Sequence, residues 1–394
     1  MSWPLDTSAA GSASAWFVNS EARKWTCSSD MSSVRAFHSN LKGYTPTPLT
    51  EVCSLAEELD VSRLFVKDES ARFDLGAFKI LGASWAVFCS ISARCGYTGE
   101  PSLEQLAEWI DPRERLTLVT ASDGNHGRAV ARLAMQLGLS AEIYVPAVVP
   151  DAVVELIRAE SAVVVLVDGP YDQAVMRARA HVESESYTLL IQDTSWLGYE
   201  DIPQLVVDGY STLFGEIDEQ LSTLGIDHLE LVTVPAGVGS LAQAAVAHYR
   251  SGLLSPGLMT VEPDTASGLL ASLALGRLHS VETGYTVMNG LNCGSPSPLA
   301  WPCLANGLDA AIAIDDKSAL VAMEDLRFVG LDAGPSGAAA FAGTRRALTG
   351  YGSARRRNEL GVDADSNIVL ISTEGASAKR LSGCSPTGDA EFGA

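Results

Sequence analysis

Leu116-Thr117-Leu118-Val119-Thr120, followed after one residue by Ser122-Asp123-Gly124-Asn125-His126-Gly127, is the stretch that decides the fold. Its apolar, β-branched first part predicts a strand, and the apolar periodicity from Gly124 through Leu137 predicts a helix. A polar, glycine-containing turn lies between the two. Because ligands of parallel α/β sheets bind at the carboxyl ends of strands, this turn is a candidate binding site.

The same strand signal recurs along the chain, with helical patterns between the strands. Further strands are predicted over 141–145, 162–167, 188–192, 229–234, 258–261, 310–314 and 367–371. Helices are predicted over 151–159, 171–185, 237–249 and 336–348. This alternation predicts an α/β fold with mostly parallel sheets flanked by helices.

Composition sets the size of the protein and limits its partners. The chain has 394 residues, 47% of them hydrophobic, which suffices for two compact domains or one large two-lobed unit. A formal net charge of −21 argues against nucleic acid and anionic membranes as partners. No segment approaches the ~20 apolar residues that a membrane span needs. The tail from Ser382 onward is rich in Gly, Ser and Pro and is expected to fray.

Cysteine usage and the N-terminal residues predict a cytoplasmic protein. The seven cysteines are scattered and form no CxxC pair, as expected of reduced thiols. The N-terminus lacks the basic start and apolar stretch of a secretory signal. The six histidines show no metal-ligand spacing with the cysteines, so no metal site is predicted.

Lys79 is the candidate for covalent chemistry. The strand-like residues 66–70 give way to a turn, and Lys79 then opens an apolar helix predicted over 80–88. The positive end of the helix dipole and partial burial are both expected to lower the pKa of this amine. A neutral amine is what Schiff-base formation requires. A lone lysine of this kind is usually an ordinary surface residue, so the assignment depends on the motifs that accompany it.

The turn at 122–127 offers groups for a planar ligand. Asn125 can donate a hydrogen bond to a phenolate oxygen, and Asp123 is a candidate acid or base. Two glycines allow close approach of the backbone. The alternatives are a helix cap at Asp123 or Asn125, and a packed structural role for His126.

Gly237-Val238-Gly239-Ser240 forms a second turn between a predicted strand and helix. Small residues at a helix N-terminus can bind a phosphate through backbone N–H groups. With Ala242 and Glu262, the same stretch also fits a loose dinucleotide fingerprint, so a nicotinamide or flavin site stays open, as does a turn without ligand.

Two more strand ends carry polar side chains. Asp193 ends one strand, and its carboxylate is a candidate to face the same site, with a capping role as the alternative. Ser372 and Thr373 end the last strand, where a hydroxyl can bond a pyridine nitrogen. A strand terminus without ligand is the alternative there.

Together these motifs resemble the fold type II, or tryptophan synthase β-like, family of pyridoxal-phosphate (PLP) enzymes. Within it, the pattern is similar to that of the diaminopropionate ammonia-lyases. The matching stretches span roughly residues 40–380, and the specific element is Asp193 through Tyr199, within the stretch from Gln192 to Pro203. The resemblance implies two domains, a large PLP-binding domain of residues 1–85 and 195–394 and a small domain of residues 86–194.

The resemblance also assigns cofactor-binding roles. Lys79 is implied to hold the cofactor as a Schiff base, and Asn125 to bind its O3′ oxygen. The turn from Gly237 through Val238 and Gly239 to Ser240 is implied to hold the phosphate. Ser372 or Thr373 is implied to face the pyridine nitrogen.

Asp123 and Asp193 are the implied acid–base residues, flanking Cα of the substrate on opposite faces so that each serves one enantiomer. The chain departs from the family pattern in two places. It has Asp74-Leu75-Gly76 where the family has Gly-Leu-Asn, and Ser295 where the family has Glu. The loss of that Glu puts recognition of a second substrate amine in question.

The implied activity is a homodimeric lyase that eliminates ammonia from 2,3-diaminopropionate, a small amino acid, to give pyruvate. One alternative is a related serine or threonine dehydratase-like or β-replacement enzyme that acts on another β-substituted alanine. The other is a PLP-binding protein without catalysis.

Overall fold

The computed structural model describes residues 16–28, 32–111, 113, 115–252 and 254–376. The predicted frayed tail from Ser382 lies outside these residues. Within them the chain forms two sheets. Their strands are β1 Trp16–Val18, β2 Leu49–Glu51, β3 Arg63–Asp68, β4 Thr117–Ala121, β5 Ser140–Pro146, β6 Val163–Val167, β7 Thr188–Leu190, β8 Leu231–Pro235, β9 Gly257–Pro263, β10 Ala310–Ile314 and β11 Asn367–Ser372.

Both sheets are mainly parallel, which confirms the predicted α/β class. The first has the order β1-β10-β9-β8-β11-β3-β2, and only its edge strands β1 and β2 run antiparallel to their neighbours. The second has the order β6-β5-β4-β7 and is parallel throughout. All eight strands predicted from 116 onward are present, with ends shifted by at most two residues. The two edge strands were not predicted.

Helices cover the sheets. They are α1 Ser32–Ser39, α2 Cys53–Leu59, α3 Lys79–Cys95, α4 Leu103–Trp109, α5 Asn125–Gln136, α6 Asp151–Ala159, α7 Tyr171–Ser184, α8 Asp201–Thr223, α9 Ser240–Tyr249, α10 Gly268–Leu275, α11 Trp301–Gly307, α12 Asp316–Phe328, α13 Pro335–Leu348 and α14 Ser353–Leu360. In the described part of the chain, no helix combines the length and the apolar character needed to cross a bilayer.

Two glycines set how closely α3 and α8 cross. A Cβ on Gly82 would lie 2.6 Å from the carbonyl oxygen of Val206, and one on Gly209 would lie 2.5 Å from that of Leu81. Both separations are shorter than backbone atoms tolerate, so a side chain at either position would push the helices apart. The close crossing fixes the first turn of α3, which begins at Lys79.

A buried cluster of ion pairs holds the segment before Lys79. Glu216 on α8 accepts hydrogen bonds from Arg72 at 2.7 Å and pairs with Lys67 at 2.6 Å, and Arg72 also pairs with Glu69 at 2.8 Å. All four side chains are buried, and each charge has a partner, as a buried charge requires. Lys67 and Glu69, which belong to the strand-like residues 66–70, therefore stabilise the segment that leads to Lys79 and do not line the site.

The division into domains of residues 1–85 with 195–394 and of residues 86–194 stays a prediction. Strands β4–β7 of the four-stranded sheet all come from 117–190, within the predicted small domain. Helix α3 runs through the predicted boundary at 85–86.

Candidate active site

A single cleft gathers the predicted site residues from both sheets. Its walls are formed by the segments that follow β4, β7, β8 and β11 and by the first residues of α3, α7 and α13. They include Phe78, Lys79, residues 121–126, Tyr171, Asp193, residues 235–241, residues 289–291, Cys293, Ser336 and residues 373–375. Below, "the cleft" means this space. Its position at strand carboxyl ends agrees with the general rule for α/β sheets.

Lys79 and Asp193 form an ion pair in the cleft. Lys79 Nζ donates a hydrogen bond to Asp193 Oδ2 at 2.6 Å, and the two side chains are 21% and 7% exposed. Burial disfavours the charged amine, but the Asp193 carboxylate outweighs it and raises the pKa of Lys79 above its usual range. The expectation of a lowered pKa was therefore wrong, because the effect of the Asp193 carboxylate exceeds that of burial.

Asp193 is held by a network of neighbours. Tyr171 Oη donates to Asp193 Oδ1 at 3.2 Å, and Gln192 Nε2 donates to Tyr171 Oη at 2.7 Å. Gln192 is in turn fixed to β4, since its Oε1 accepts from the main-chain N–H of Ala121 at 2.9 Å. Burial disfavours the charged Asp193, but Lys79 and these hydrogen bonds hold its pKa below the usual range.

Asp123 faces the same cleft in the opposite electrostatic state. Burial and the neighbouring carboxylates of Asp193 and Asp172 raise its pKa to about 7, although Lys79 acts in the other direction. A carboxyl group with this pKa exchanges a proton readily near neutral pH. The cleft thus holds one carboxylate that stays charged and one that is poised to titrate.

The turn after β4 is rigid. Ser122 Oγ accepts hydrogen bonds from the main-chain N–H groups of Gly124 at 3.0 Å and Gly127 at 2.8 Å. Asn125 Nδ2 donates to Glu374 Oε2 at 2.6 Å, which ties the turn to the end of β11. The buried His126 bonds the main-chain oxygen of Ile191 at 2.7 Å through Nε2, which favours its structural alternative.

The turn after β8 combines small residues with the start of α9. Gly239 precedes the helix with a φ of +98°, a conformation suited to glycine. A Cβ on Gly237 would lie 3.2 Å from Cys293 Sγ, so the absence of a side chain keeps the turn open. First-turn N–H groups of a helix have no partner within the helix, so they can bind an anion. Ser240 Oγ donates to the main-chain oxygen of Asp193 at 2.7 Å, which joins this turn to the catalytic candidates.

The dinucleotide alternative for this turn fails on Glu262. Its carboxylate is fully buried and accepts hydrogen bonds from the main-chain N–H groups of Leu269 at 2.8 Å and Leu270 at 2.7 Å. Burial raises its pKa to about 8. A side chain used in this way cannot bind a ribose.

The end of β11 offers unpaired polar atoms. Thr373 lines the cleft, whereas Ser372 is buried behind it. Among the described residues, Ser336 Oγ and Glu374 Oε1 are buried in the cleft wall without a hydrogen-bond partner. Unpaired buried polar atoms cost free energy unless a ligand or water satisfies them. The Lys79 amine, the N-terminus of α9 and these unpaired polar atoms are groups that could bind PLP.

Both departures from the family pattern have a structural context. Asp74 and Gly76 have φ values of +58° and +77°, in the left-handed region. Gly, Asn and Asp are the residue types that adopt it most readily, so Gly76 in place of Asn preserves the turn before Lys79. Ser295 Oγ donates to Asp172 Oδ2 at 3.4 Å, so a carboxylate lies beside this position even though the Glu is absent.

The structure brings together all the predicted site segments, and it adds three residues that the sequence analysis missed. Tyr171, Ser336 and Glu374 all line the cleft. Tyr171 and Ser336 open α7 and α13, and Glu374 follows β11, so a search of every strand end and helix start would have found them. Within the described residues, no group of three or more His, Cys, Asp or Glu side chains is arranged to bind a metal ion.

Comparison with known proteins places this geometry in a family. The profile of the family described as "Pyridoxal-phosphate dependent enzyme" matches residues 41–374. Diaminopropionate ammonia-lyase of Escherichia coli K12 is 34% identical over 91% of this chain and 92% of that protein. The enzyme of the same name from Salmonella typhimurium LT2 is 35% identical over 87% and 88%.

Solved structures agree with the sequence matches. The Escherichia coli diaminopropionate ammonia-lyase in complex with D-serine has a TM-score of 0.84 at 30% identity, covering 94% of this chain and 97% of that one. Its complex with an aminoacrylate-PLP azomethine reaction intermediate has a TM-score of 0.81. The chain therefore belongs to the fold type II family of pyridoxal-phosphate-dependent enzymes, whose cofactor is pyridoxal 5′-phosphate.

Proposed function

We propose that this enzyme is a lyase that eliminates ammonia from 2,3-diaminopropionate and yields pyruvate and ammonia. One observation carries the proposal: the Lys79 amine contacts Asp193 at 2.6 Å in a cleft that also holds Asp123. An amine and two carboxylates are what α,β-elimination from an amino acid requires for covalent anchoring and proton transfer. The diaminopropionate ammonia-lyases that the chain resembles support the substrate.

The residues that line the cleft support a placement of the cofactor. Lys79 would bind its aldehyde, and Asn125 would donate to its phenolate oxygen. The turn of Gly237, Val238, Gly239 and Ser240 would bind its phosphate. Thr373 would face its pyridine nitrogen, since Thr373 lines the cleft whereas Ser372 does not. When bound, PLP supplies an electron sink for negative charge at Cα of the amino acid.

Asp123 and Asp193 carry the protons. Asp193 is charged beside the Lys79 ammonium, which holds its pKa below the usual range. When Lys79 holds the cofactor this ion pair is broken, and Asp193 can accept the Cα proton. Asp123, with a pKa of about 7, can accept or return a proton near neutral pH. They follow the neighbouring strands β7 and β4, and each is proposed to act on one enantiomer of the substrate. A substrate β-ammonium group already carries the proton with which it leaves as ammonia, and the Lys79 amine can protonate the leaving group of a substrate that binds with a neutral β-substituent.

The charge of the cleft favours a cationic substrate. The carboxylates of Asp193 and Asp172 both raise the pKa of Asp123, and Lys79 is the nearby cation that acts in the opposite direction. A β-ammonium group relieves the repulsion among these carboxylates, which a neutral β-hydroxyl group cannot do. This difference supports diaminopropionate over serine.

The second candidate is elimination from another β-substituted alanine, such as serine, threonine or an O-activated serine. Ser295 favours it, since a hydroxyl stands where the family has a carboxylate, 3.4 Å from Asp172. The Escherichia coli relative has been solved with D-serine, so that protein's site admits a β-hydroxy amino acid.

A product assay decides between them. Release of the 2-oxo acid is measured over a range of substrate concentrations: pyruvate from D- and L-diaminopropionate and from D- and L-serine, and 2-oxobutyrate from threonine. The proposal expects kcat/KM for a diaminopropionate enantiomer to exceed that for serine by at least about tenfold, the effect of one ion pair of ~1.4 kcal/mol. Higher kcat/KM for serine or threonine would favour the second candidate, and no 2-oxo acid from any of these amino acids would contradict both.

We also propose a cytoplasmic homodimer. The six described cysteines are free thiols, as expected in a reducing compartment. Light scattering on the purified holoenzyme tests the assembly, since a dimer doubles the chain mass of 41.5 kDa. A monomeric mass would contradict it.

A further inference from the structure

Glu374 is a buried carboxylate of the cleft, only 7% exposed. Its Oε2 accepts a hydrogen bond from Asn125 Nδ2 at 2.6 Å. Its Oε1 is buried without a hydrogen-bond partner among the residues that the structure describes. A buried carboxylate that uses one oxygen on a side-chain amide and leaves the other unpaired is costly for stability, so a functional reason for it is expected.

The backbone of Glu374 is fixed firmly. Its carbonyl oxygen accepts a hydrogen bond from the N–H of Gly334 at 2.9 Å, and it forms an isolated bridge with Ala77, two residues before Lys79. A Cβ on Gly334 would lie 3.1 Å from Glu374 Oε1, so the missing side chain leaves room for this carboxylate. The backbone that carries the Glu374 side chain is therefore held in place, and it is paired with the segment just before Lys79.

The contact decides which end of the Asn125 amide faces which way. A primary amide has two N–H donors on its nitrogen and an acceptor oxygen, and its two ends have nearly the same shape. A carboxylate accepts but does not donate, so it holds the nitrogen of Asn125 toward itself. The second N–H on that nitrogen then remains for another acceptor. Rotation of the amide by half a turn would instead bring its carbonyl oxygen against Glu374, at a repulsive distance.

We propose that Glu374 is a positioning residue, which locks the amide of Asn125 so that its N–H donates to the phenolate oxygen of the cofactor. The inference rests on the placement of that oxygen at Asn125 under the proposed function. Without the lock, the amide can flip and offer its carbonyl oxygen to an anionic oxygen, which weakens binding.

A positioning role and a purely electrostatic role of Glu374 predict opposite changes in PLP affinity when Glu374 is removed. A buried carboxylate near a phenolate repels it, so a role through charge alone means that removing Glu374 tightens PLP binding. The lock means that removing Glu374 weakens it. The loss expected is about tenfold, the scale of one hydrogen bond to a charged group.

The test measures the Kd of PLP for the full-length chain, stripped of cofactor, by titration of the visible absorption band. Wild type is compared with Glu374→Ala, Glu374→Gln, Asn125→Ala and the double variant Asn125→Ala/Glu374→Ala. Each single alanine variant is expected to weaken binding about tenfold. The double variant is expected to be no weaker than Asn125→Ala, because Glu374 acts through Asn125. Glu374→Gln, which can accept or donate, is expected to fall between wild type and Glu374→Ala.

A second readout separates positioning from folding. The lock stabilises the phenolate, so its loss is expected to move the pH titration of the visible band to higher pH, which a merely structural role does not do. Equal or tighter PLP binding by Glu374→Ala or Glu374→Gln overturns the proposal, as do additive losses in the double variant. If Asn125→Ala binds PLP as wild type does, the placement of the phenolate fails as well. If only Asn125→Ala weakens binding, that placement stands and the lock alone is overturned.

Discussion

Two aspartates of the cleft, at the ends of β7 and β4, lie in opposite electrostatic states. Asp193 is paired with Lys79 at 2.6 Å and bonded by Tyr171, and its pKa lies below the usual range. The pKa of Asp123 is raised to about 7 by burial and by neighbouring carboxylates. The difference shows that the partner, and not burial alone, decides which carboxylate stays charged. Two bases with separated pKa values allow one cleft to serve two proton-transfer tasks.

Replacing Lys79 is expected to have the largest effect on activity and on the difference between the two aspartates. Lys79→Ala removes both the covalent anchor and the cation that sets the two carboxylates apart, so kcat/KM for pyruvate release is expected to fall at least about 10⁴-fold. Lys79→Arg is the matched control, because it keeps a positive charge beside Asp193 but lacks the primary amine. Turnover by either variant near the wild-type rate would contradict the role of the amine.

Neutralising the carboxylates one at a time separates the contribution of Asp193 from that of Asp123. Asp193→Asn and Asp123→Asn are each expected to lower kcat by about 10²–10⁴-fold, the contribution of a positioned base, but on different enantiomers. The measurement is pyruvate release from D- and L-diaminopropionate by each variant. Equal losses on both enantiomers in both variants would refute the assignment of one base to each.

A smaller effect is expected from a substitution that removes one hydrogen bond to Asp193. Tyr171→Phe deletes the hydroxyl that donates to Asp193 at 3.2 Å, so kcat for the enantiomer served by Asp193 is expected to fall about threefold to tenfold, the scale of one hydrogen bond. Activity on the other enantiomer is expected to change less than twofold. Tyr144→Phe is the matched control, since that hydroxyl bonds Glu142 outside the cleft. A similar loss on both enantiomers would mean that Tyr171 acts on the whole site.

Local sequence patterns were sufficient for the strands from residue 116 onward and for the site turns. β10 has the predicted bounds and β4 is shifted by one residue, because short, mainly apolar runs between turn residues leave few alternatives. The long helix α8, Asp201–Thr223, was not predicted, since Pro203 and Gly209 interrupt its pattern. Pro203 lies in its first turn, where no intrahelical N–H is lost, and Gly209 is needed for the crossing with α3.

The electrostatics of the site could not be predicted from local sequence. The direction of the Lys79 pKa depends on Asp193, which is 114 residues away in the chain and adjacent in space. The contact of Asn125 with Glu374 spans 249 residues. Motifs identified which residues meet at the cleft, but only the folded distances show which of them pair and which remain poised.

The most direct test of the difference between Asp123 and Asp193 is the pH dependence of kcat/KM for each enantiomer of diaminopropionate. Below its pKa Asp123 holds a proton and cannot accept another, so the enantiomer that depends on it loses rate as the pH falls through about 7. The pKa of Asp193 lies lower than that of Asp123, so the other enantiomer is expected to keep its rate to lower pH. Two acid limbs with the same midpoint would contradict the account, because they would require the two carboxylates to titrate alike.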